Sequence, residues 1–327
     1  MLLSRINVLE YALISGEVLP LTTAYISHAD CHAHDTGEGH PENARRLSSI
    51  EDRFIASQLS DFIRSIDAPE VTQTQLLRVH STEHLANMEV MMPKQGYMRL
   101  DQDTVISPGT HKAAKRAAGA VVHAVDLLMS KALNNAFCGV RPPGHHAESN
   151  RALGFCIYNN IAVGAAHAME EHGLEKVAIL DFDVHQGNGT EDIFIGDDRV
   201  LYCSIFQHPF YPFTPPPENT DRVVSIPLEA TAKSDEFRAA VTDHWLPALE
   251  RFKPQMIFVS AGFDAHRDDE MSYVSLTDAD FRWVIEEIVK VAETHASGRI
   301  VSVLEGGYET HSLARCVETH MRVLMGL

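Results

Sequence analysis

No stretch of eighteen or more apolar residues occurs in the 327-residue chain, so no segment of it reads as a membrane-spanning helix. The five cysteines, Cys31, Cys138, Cys156, Cys203 and Cys316, form no Cys-x-x-Cys pair and are odd in number. Neither a disulfide framework nor a cysteine zinc site is expected, and a reduced, cytoplasmic protein is the simplest reading. Basic residues are scarce: 27 Lys and Arg stand against 45 Asp and Glu, a formal net charge of -18. That balance opposes direct binding to nucleic acid or anionic lipid and favours cationic ligands. Repeats, low-complexity tracts and Gly/Ser linkers are missing too, so nothing marks a boundary within the chain. Residues 1–20 carry Glu10 and Glu17 and lack an apolar core followed by a small-residue cleavage site, which makes a poor signal peptide. They are expected to be an extension of unknown role, ahead of one domain over 21–327. Oligomeric state is not legible.

What the chain does have is 19 histidines, several of them beside Asp, Gly and Pro. Short unalternating apolar runs at 136–140, 177–180, 200–205, 256–260 and 300–304 read as parallel strands covered on both faces. Between them, 109–131, 160–172, 234–251 and 278–296 read as helices, the last opened by Thr277 with Asp280 three residues on. Strands alternating with helices predict an α/β fold with an open, mostly parallel sheet flanked by helices. Ligands of such sheets bind beyond the carboxyl ends of the strands. Every strong polar cluster here follows a predicted strand.

Asp181-Phe-Asp183-Val-His185 puts three metal-binding side chains at alternate positions, on one face if the segment stays extended. Asp264, in Gly262-Phe-Asp-Ala-His, offers another carboxylate at another strand end. Three protein ligands with an open position is the arrangement of a catalytic zinc, and Fe²⁺, Co²⁺ or Mn²⁺ suit the same donors. Gly144-His145-His146 follows Arg141-Pro-Pro, a stiff lead into two adjacent imidazoles. Hydrolysis of an amide at a metal needs a base for water and an acid for the departing amine, and imidazole suits both.

RPPGHHA, GFCIYNN, ILDFDVHQGNGT, AGFDAH and EGGY, in that order and with HPEN at His40, resemble the signature motifs of the histone deacetylase family in its class II-like bacterial branch. The resemblance runs from about Thr22 to the end. It implies the arginase/deacetylase fold and hydrolysis of an acetylated primary amine, either acetyl-lysine or an acetylpolyamine. It implies zinc on Asp183, His185 and Asp264, with His146 as general base and His145, paired with Asp181, as its electrostatic partner or general acid. Tyr308 would donate to the oxyanion, and Asn188 would orient His146 where some relatives carry Asp. A structural K⁺ is implied at Asp181, Asp183, His185, Ser204 and Ile205, and a second near Phe194, Asp197 and Val200. Phe155 and Tyr211 would wall the substrate channel beside Gly154.

This chain departs from the pattern at its rim. Phe213-Thr-Pro-Pro-Pro-Glu-Asn stands in place of a glycine-rich turn. Where polyamine-selective relatives carry Glu, this chain has Met271, with Glu270 one place earlier. Asp268, Asp269 and Glu270 are expected to form an acidic mouth. An arginase-like ureohydrolase would need the order D-x-H-x-D, and a non-catalytic acetyl-lysine binder would be expected to lack a histidine of the pair or the tyrosine.

Overall fold

The computed structural model describes residues 23–327, so the extension at 1–20 lies outside the described residues. Eight strands form one sheet: β1 (Thr23–Ser27), β2 (Arg64–Asp67), β3 (Asn135–Cys138), β4 (Val177–Asp181), β5 (Val200–Gln207), β6 (Val223–Leu228), β7 (Met256–Ala261) and β8 (Ile300–Leu304). Their spatial order is β2-β1-β3-β8-β7-β4-β5-β6. Each neighbouring pair is parallel. Strands β3, β4, β7 and β8 are buried at every residue, which is why their sequences show no polar alternation.

The helices around the sheet include α1 (Arg45–Ala56), α2 (Thr110–Met129), α3 (Asn160–Glu170), α4 (Asn188–Phe194), α5 (Asp278–His295) and α6 (Thr310–Leu324). Helix α2 packs with α3, and α6 packs with both α1 and α5. Local chemistry sets their starts. The Asn159 side chain caps α3 by accepting from the Ala162 N–H at 3.1 Å, and Thr277 with Asp280 closes a capping box on α5. The helix expected at 234–251 is instead two pieces, Ser234–Ala240 and Leu246–Phe252, joined by a wider π turn. Pro247 has no N–H to offer the carbonyl of Asp243, so regular α pairing cannot run through it.

The chain's route positions the site. From β3 it passes over to β4, leaving a gap that β7 and β8 later fill. The carboxyl ends of β3, β8, β7 and β4 therefore lie side by side at the centre of the sheet. Four loops distant in sequence, after Cys138, Leu304, Ala261 and Asp181, meet there.

Candidate active site

Beyond β4 the chain bends instead of staying extended. Asp181 Oδ1 accepts the Asp183 N–H at 3.1 Å, and Asp183 Oδ1 accepts the His185 N–H at 2.9 Å. These side-chain turns part Asp181 from Asp183 and His185, because short carboxylates readily capture the amide two residues on. Asp181 turns towards His145 Nδ1 at 3.0 Å and the Tyr202 hydroxyl at 3.1 Å. Asp183 and His185 meet Asp264 from the neighbouring strand end: His185 Nδ1 lies 3.0 Å from Asp183 Oδ1 and 3.1 Å from Asp264 Oδ2.

The outer carboxylate oxygens are fixed by backbone. Asp183 Oδ2 accepts the Gly306 N–H at 2.7 Å, and Asp264 Oδ1 accepts the Val184 N–H at 3.0 Å. Residue 306 must be glycine here, since a Cβ would come within 2.0 Å of Asp264 Oδ2. Two buried carboxylates thus share one imidazole nitrogen, which can carry a single proton. A donor set so rich in lone pairs fits a cation. Its electrostatics say the same. Burial resists charging His185, yet its hydrogen bonds to Asp183 and Asp264 hold it up at about 10. Burial together with Asp183 pushes Asp264 up to about 6. The imidazolium occupies the position of the missing positive charge.

Two other clusters have metal-like composition, and their hydrogen bonding argues against ligation. In Asp126–His167–His172, Arg78 Nη1 lies 2.6 Å from His167 Nδ1. Arginine can only donate, so the His167 proton sits on Nε2 and points at Asp126 Oδ1, 2.8 Å away. In His266–Asp278–Cys316, His266 Nδ1 accepts the Asp268 N–H at 3.1 Å, leaving the proton on Nε2, and Arg315 already neutralises Asp278 at 3.1 Å.

The two histidines after β3 are adjacent in sequence and opposite in charge preference. Their loop is held by the Glu305 carboxylate, whose Oε2 accepts the Gly144 and His145 N–H groups at 2.7 and 3.1 Å. Burial disfavours protonating His145, but Asp181 and Asp183 outweigh it and hold the imidazole well above its ordinary value. His146 has only Asn188, whose Oδ1 lies 2.8 Å from Nδ1. Burial, then the charges of His145 and His185, hold His146 well below its ordinary value. The His146 proton therefore sits on Nδ1, and Nε2 keeps a free lone pair. Desolvation raises the Tyr308 phenol well above its usual range, so it stays a donor.

Residues 40–324 match the histone deacetylase domain family. The chain is 36% identical over 285 residues to the histone deacetylase-like amidohydrolase of Pseudomonas aeruginosa, covering 84% of this chain and 73% of that one. It is 34% identical over 296 residues to a probable deacetylase of Archaeoglobus fulgidus, covering 88% and 82%. The crystal structure of the HDA15 HD domain superposes with a TM-score of 0.88 at 31% identity, covering 93% of this chain and 88% of that one. The chain belongs to the histone deacetylase family. It spans only 21% of the type-2 histone deacetylase 2 of Dictyostelium discoideum, to which it is 33% identical over 93% of its own length. Membership places it among deacetylases and related amidohydrolases.

The other residues singled out from sequence fall around this centre. In this histone deacetylase-family chain Gly154 packs on His146, where a Cβ would approach His146 Cδ2 to 2.5 Å. Phe155 stands edge-on to Tyr308 at 5.9 Å, and Tyr211 edge-on to His146 at 5.1 Å. Ser204 and Ile205 lie buried on β5; the Ser204 hydroxyl has no hydrogen-bond partner among the described residues. Phe194, Asp197 and Val200 form a turn, with Asp197 N on Phe194 O and Val200 N on Asp197 O, each at 3.0 Å.

The acidic mouth is a correction. Asp269 is 6% exposed and faces inward, and the exposed Asp268 pairs with Arg315 at 3.2 Å, leaving Glu270 as the exposed carboxylate of the three without an ion-pair partner among the described residues. The side chains of that run alternate between a backbone-binding role and solvent, which a count of charges cannot show. Met271, half-buried, gives its N–H to Asp269 Oδ1 at 3.0 Å. Sequence reasoning also missed Phe210, stacked on His185 at 5.3 Å, although it lies within the quoted Pro209-Phe-Tyr-Pro. It gave no role to Glu305, nor to Glu42 and Arg46 of the HPEN-Ala-Arg-Arg segment, because their partners are main-chain groups and distant loops.

Proposed function

We propose that this chain is a zinc-dependent deacetylase that hydrolyses the acetamide of an acetylated primary amine, with acetyl-lysine in a peptide favoured over a free acetylpolyamine. The observation that carries the reading is the split histidine pair: His145 on the Asp181 carboxylate and His146 on the Asn188 amide, side by side, against a three-donor metal site. Pairs whose environments drive their pKa values apart are how proteins assign base and acid. Asp183, His185 and Asp264 would hold the zinc, which when bound polarises the substrate carbonyl and lowers the pKa of water.

His146 Nε2 takes the proton from water, and Asn188 fixes which nitrogen is free. His145, held charged by Asp181, supplies positive potential and a proton for the departing amine. Tyr308 donates to the oxyanion, a contribution of about 3–4 kcal/mol in comparable sites. The unpartnered Ser204 hydroxyl supports a K⁺ between β5 and the Asp181–His185 bend.

The rim supports the substrate preference. Phe213 and Tyr273 are 77% and 72% exposed and pack edge-on against Tyr211 and Phe210. With Asp268 neutralised and Asp269 buried, these neutral rings are suited to peptide around the lysine. Glu270, the exposed carboxylate without an ion-pair partner among the described residues, contributes about 0.2–1 kcal/mol towards a cationic tail. An acetyl-lysine peptide and N8-acetylspermidine, assayed side by side at low and high salt, should both be hydrolysed, with kcat/KM values within about two orders of magnitude. A thousandfold polyamine preference that survives high salt would refute the peptide reading; no hydrolysis of either would refute the deacetylase reading.

A further inference from the structure

The loop after β7 carries a carboxylate that the chemistry above leaves without a task. Asp269 is 6% exposed. Its Oδ2 accepts the N–H of Tyr308 at 2.6 Å and of Glu309 at 3.0 Å, and its Oδ1 accepts the N–H of Met271 at 3.0 Å. None of these partners is a cation. A buried carboxylate satisfied by main chain alone is an expensive way to join two loops. Here it also carries a local penalty, because its negative charge adds to the pressure on Asp264. A neutral side chain would join the loops without that penalty, but none supplies two acceptor oxygens in one plane.

We propose that Asp269 is the positioning residue for Tyr308, fixing the backbone from which the phenol reaches the scissile carbonyl; this rests on the deacetylase reading. The loop after β8 is tied at three consecutive residues. Gly306 N–H is held by Asp183 Oδ2 at 2.7 Å, Gly307 O by Arg46 Nε at 2.6 Å, and Tyr308 N–H by Asp269. The ring itself meets the Arg46 guanidinium at 4.9 Å and the edge of Phe155. Those contacts touch the ring and leave the backbone beneath it to be set by other groups. The Asp269 bonds are short and fix the direction of the Cα–Cβ bond. Displacement of a reacting group on the order of 1 Å costs about 10²-fold in rate, so a residue that only sets backbone direction has leverage on turnover. Glu309 is also the N-cap of α6, so Asp269 fixes the start of that helix in the same stroke.

A double-mutant cycle isolates the effect, since a residue acting solely through Tyr308 has nothing left to do once the phenol is gone. Asp269→Asn keeps one acceptor oxygen and turns an NH₂ towards either Met271 N–H or the Tyr308 and Glu309 pair. It should lower kcat by about 10–10²-fold with KM and metal content close to wild type. In a Tyr308→Phe background the same change should cost less than about twofold. Hydrogen exchange supplies a readout independent of turnover: Asp269→Asn should deprotect residues 307–310 while 181–186 stay protected. Asp269→Glu retains both oxygens on a longer stem and keeps the test alive if the amide variant does not fold; it should show the same coupling at smaller amplitude. Equal losses in both backgrounds, or wild-type turnover in Asp269→Asn, would overturn the proposal. If the wild type hydrolyses no acetylated amine but exchange still loosens at 307–310 alone, the deacetylase reading falls and the positioning role stands.

Discussion

Two buried charge clusters lie close together in this protein, and they are satisfied in opposite ways. Glu42 receives Arg141 through Nε and, at 2.7 Å, Nη2, and Arg46 Nη1 at 3.2 Å. The remaining guanidinium N–H groups end on carbonyls: Arg46 on Glu305 O and Gly307 O, Arg141 on Cys31 O. Every charge there has a partner within the chain. At Asp183, His185 and Asp264, two carboxylates compete for one imidazole nitrogen. The first cluster holds loops together; the second is left short of positive charge and needs a ligand to complete it. Carboxylates left without enough donors of their own, not burial or charge as such, separate the site from the brace.

The largest effect should follow from erasing that difference. Asp183→Ala or Asp264→Ala should remove bound metal and lower kcat by more than about 10³-fold, since several kcal/mol of charge stabilisation depend on the full donor set. Metal analysis of the purified variants checks this; full occupancy in both would show that the donors are misassigned. His146→Ala is the next step down, with kcat reduced by at least about 10²-fold and metal retained. Near-normal turnover in that variant, with His145→Ala inactive, would exchange the two roles.

The brace should fail differently. Glu42→Gln leaves Arg141 without its carboxylate and should lower unfolding stability by about 3–5 kcal/mol, read from urea denaturation. In the metal-free protein Asp264→Asn should do the reverse and raise Tm, because it removes a carboxylate whose ionisation folding disfavours. A lower Tm for that variant would mean that the site carries no surplus charge.

Acid should separate the clusters as well. Arg141 and His34 hold Glu42 well below the usual carboxylate range despite its burial, so its stabilisation is complete above the unfolded carboxylate pKa and is lost only as pH falls through the lower folded value. Asp264, at about 6 in the metal-free protein, competes for protons much earlier, so metal affinity should weaken as pH falls through that value. Lowering pH from 7 to 5 should weaken metal binding by at least about tenfold in a protein that remains folded, as followed by metal titration and circular dichroism.

Much of this was legible because the central strands are buried on both faces. Runs such as Met256–Ala261 and Ile300–Leu304 have no polar face to disguise them, and their ends carried the polar motifs. The edge strand β2, Arg-Ser-Ile-Asp, is largely exposed and gave no such signal. At the site, side chains that face a ligand announced themselves by type: paired histidines, clustered aspartates, a lone Tyr after two glycines. Side chains that bind main chain did not. Glu305 and Asp269 look like any carboxylates in sequence, because their partners are amides that every residue possesses. The extended geometry expected for Asp181–His185 failed for the same reason, since the side-chain turns that bend it use backbone N–H groups.

The most direct test of the account is a calorimetric titration of metal-free protein with Zn²⁺ in buffers of different ionisation enthalpy, with acetate release followed at each point. One ion should bind per chain, deacetylation should rise in proportion, and about one proton should leave at pH 7, because His185 is charged in the metal-free state and must be neutral to ligate. The proton count should climb towards about two below pH 6 as Asp264 joins. Full hydrolysis by metal-free protein, or undiminished zinc binding by Asp264→Asn, would contradict it.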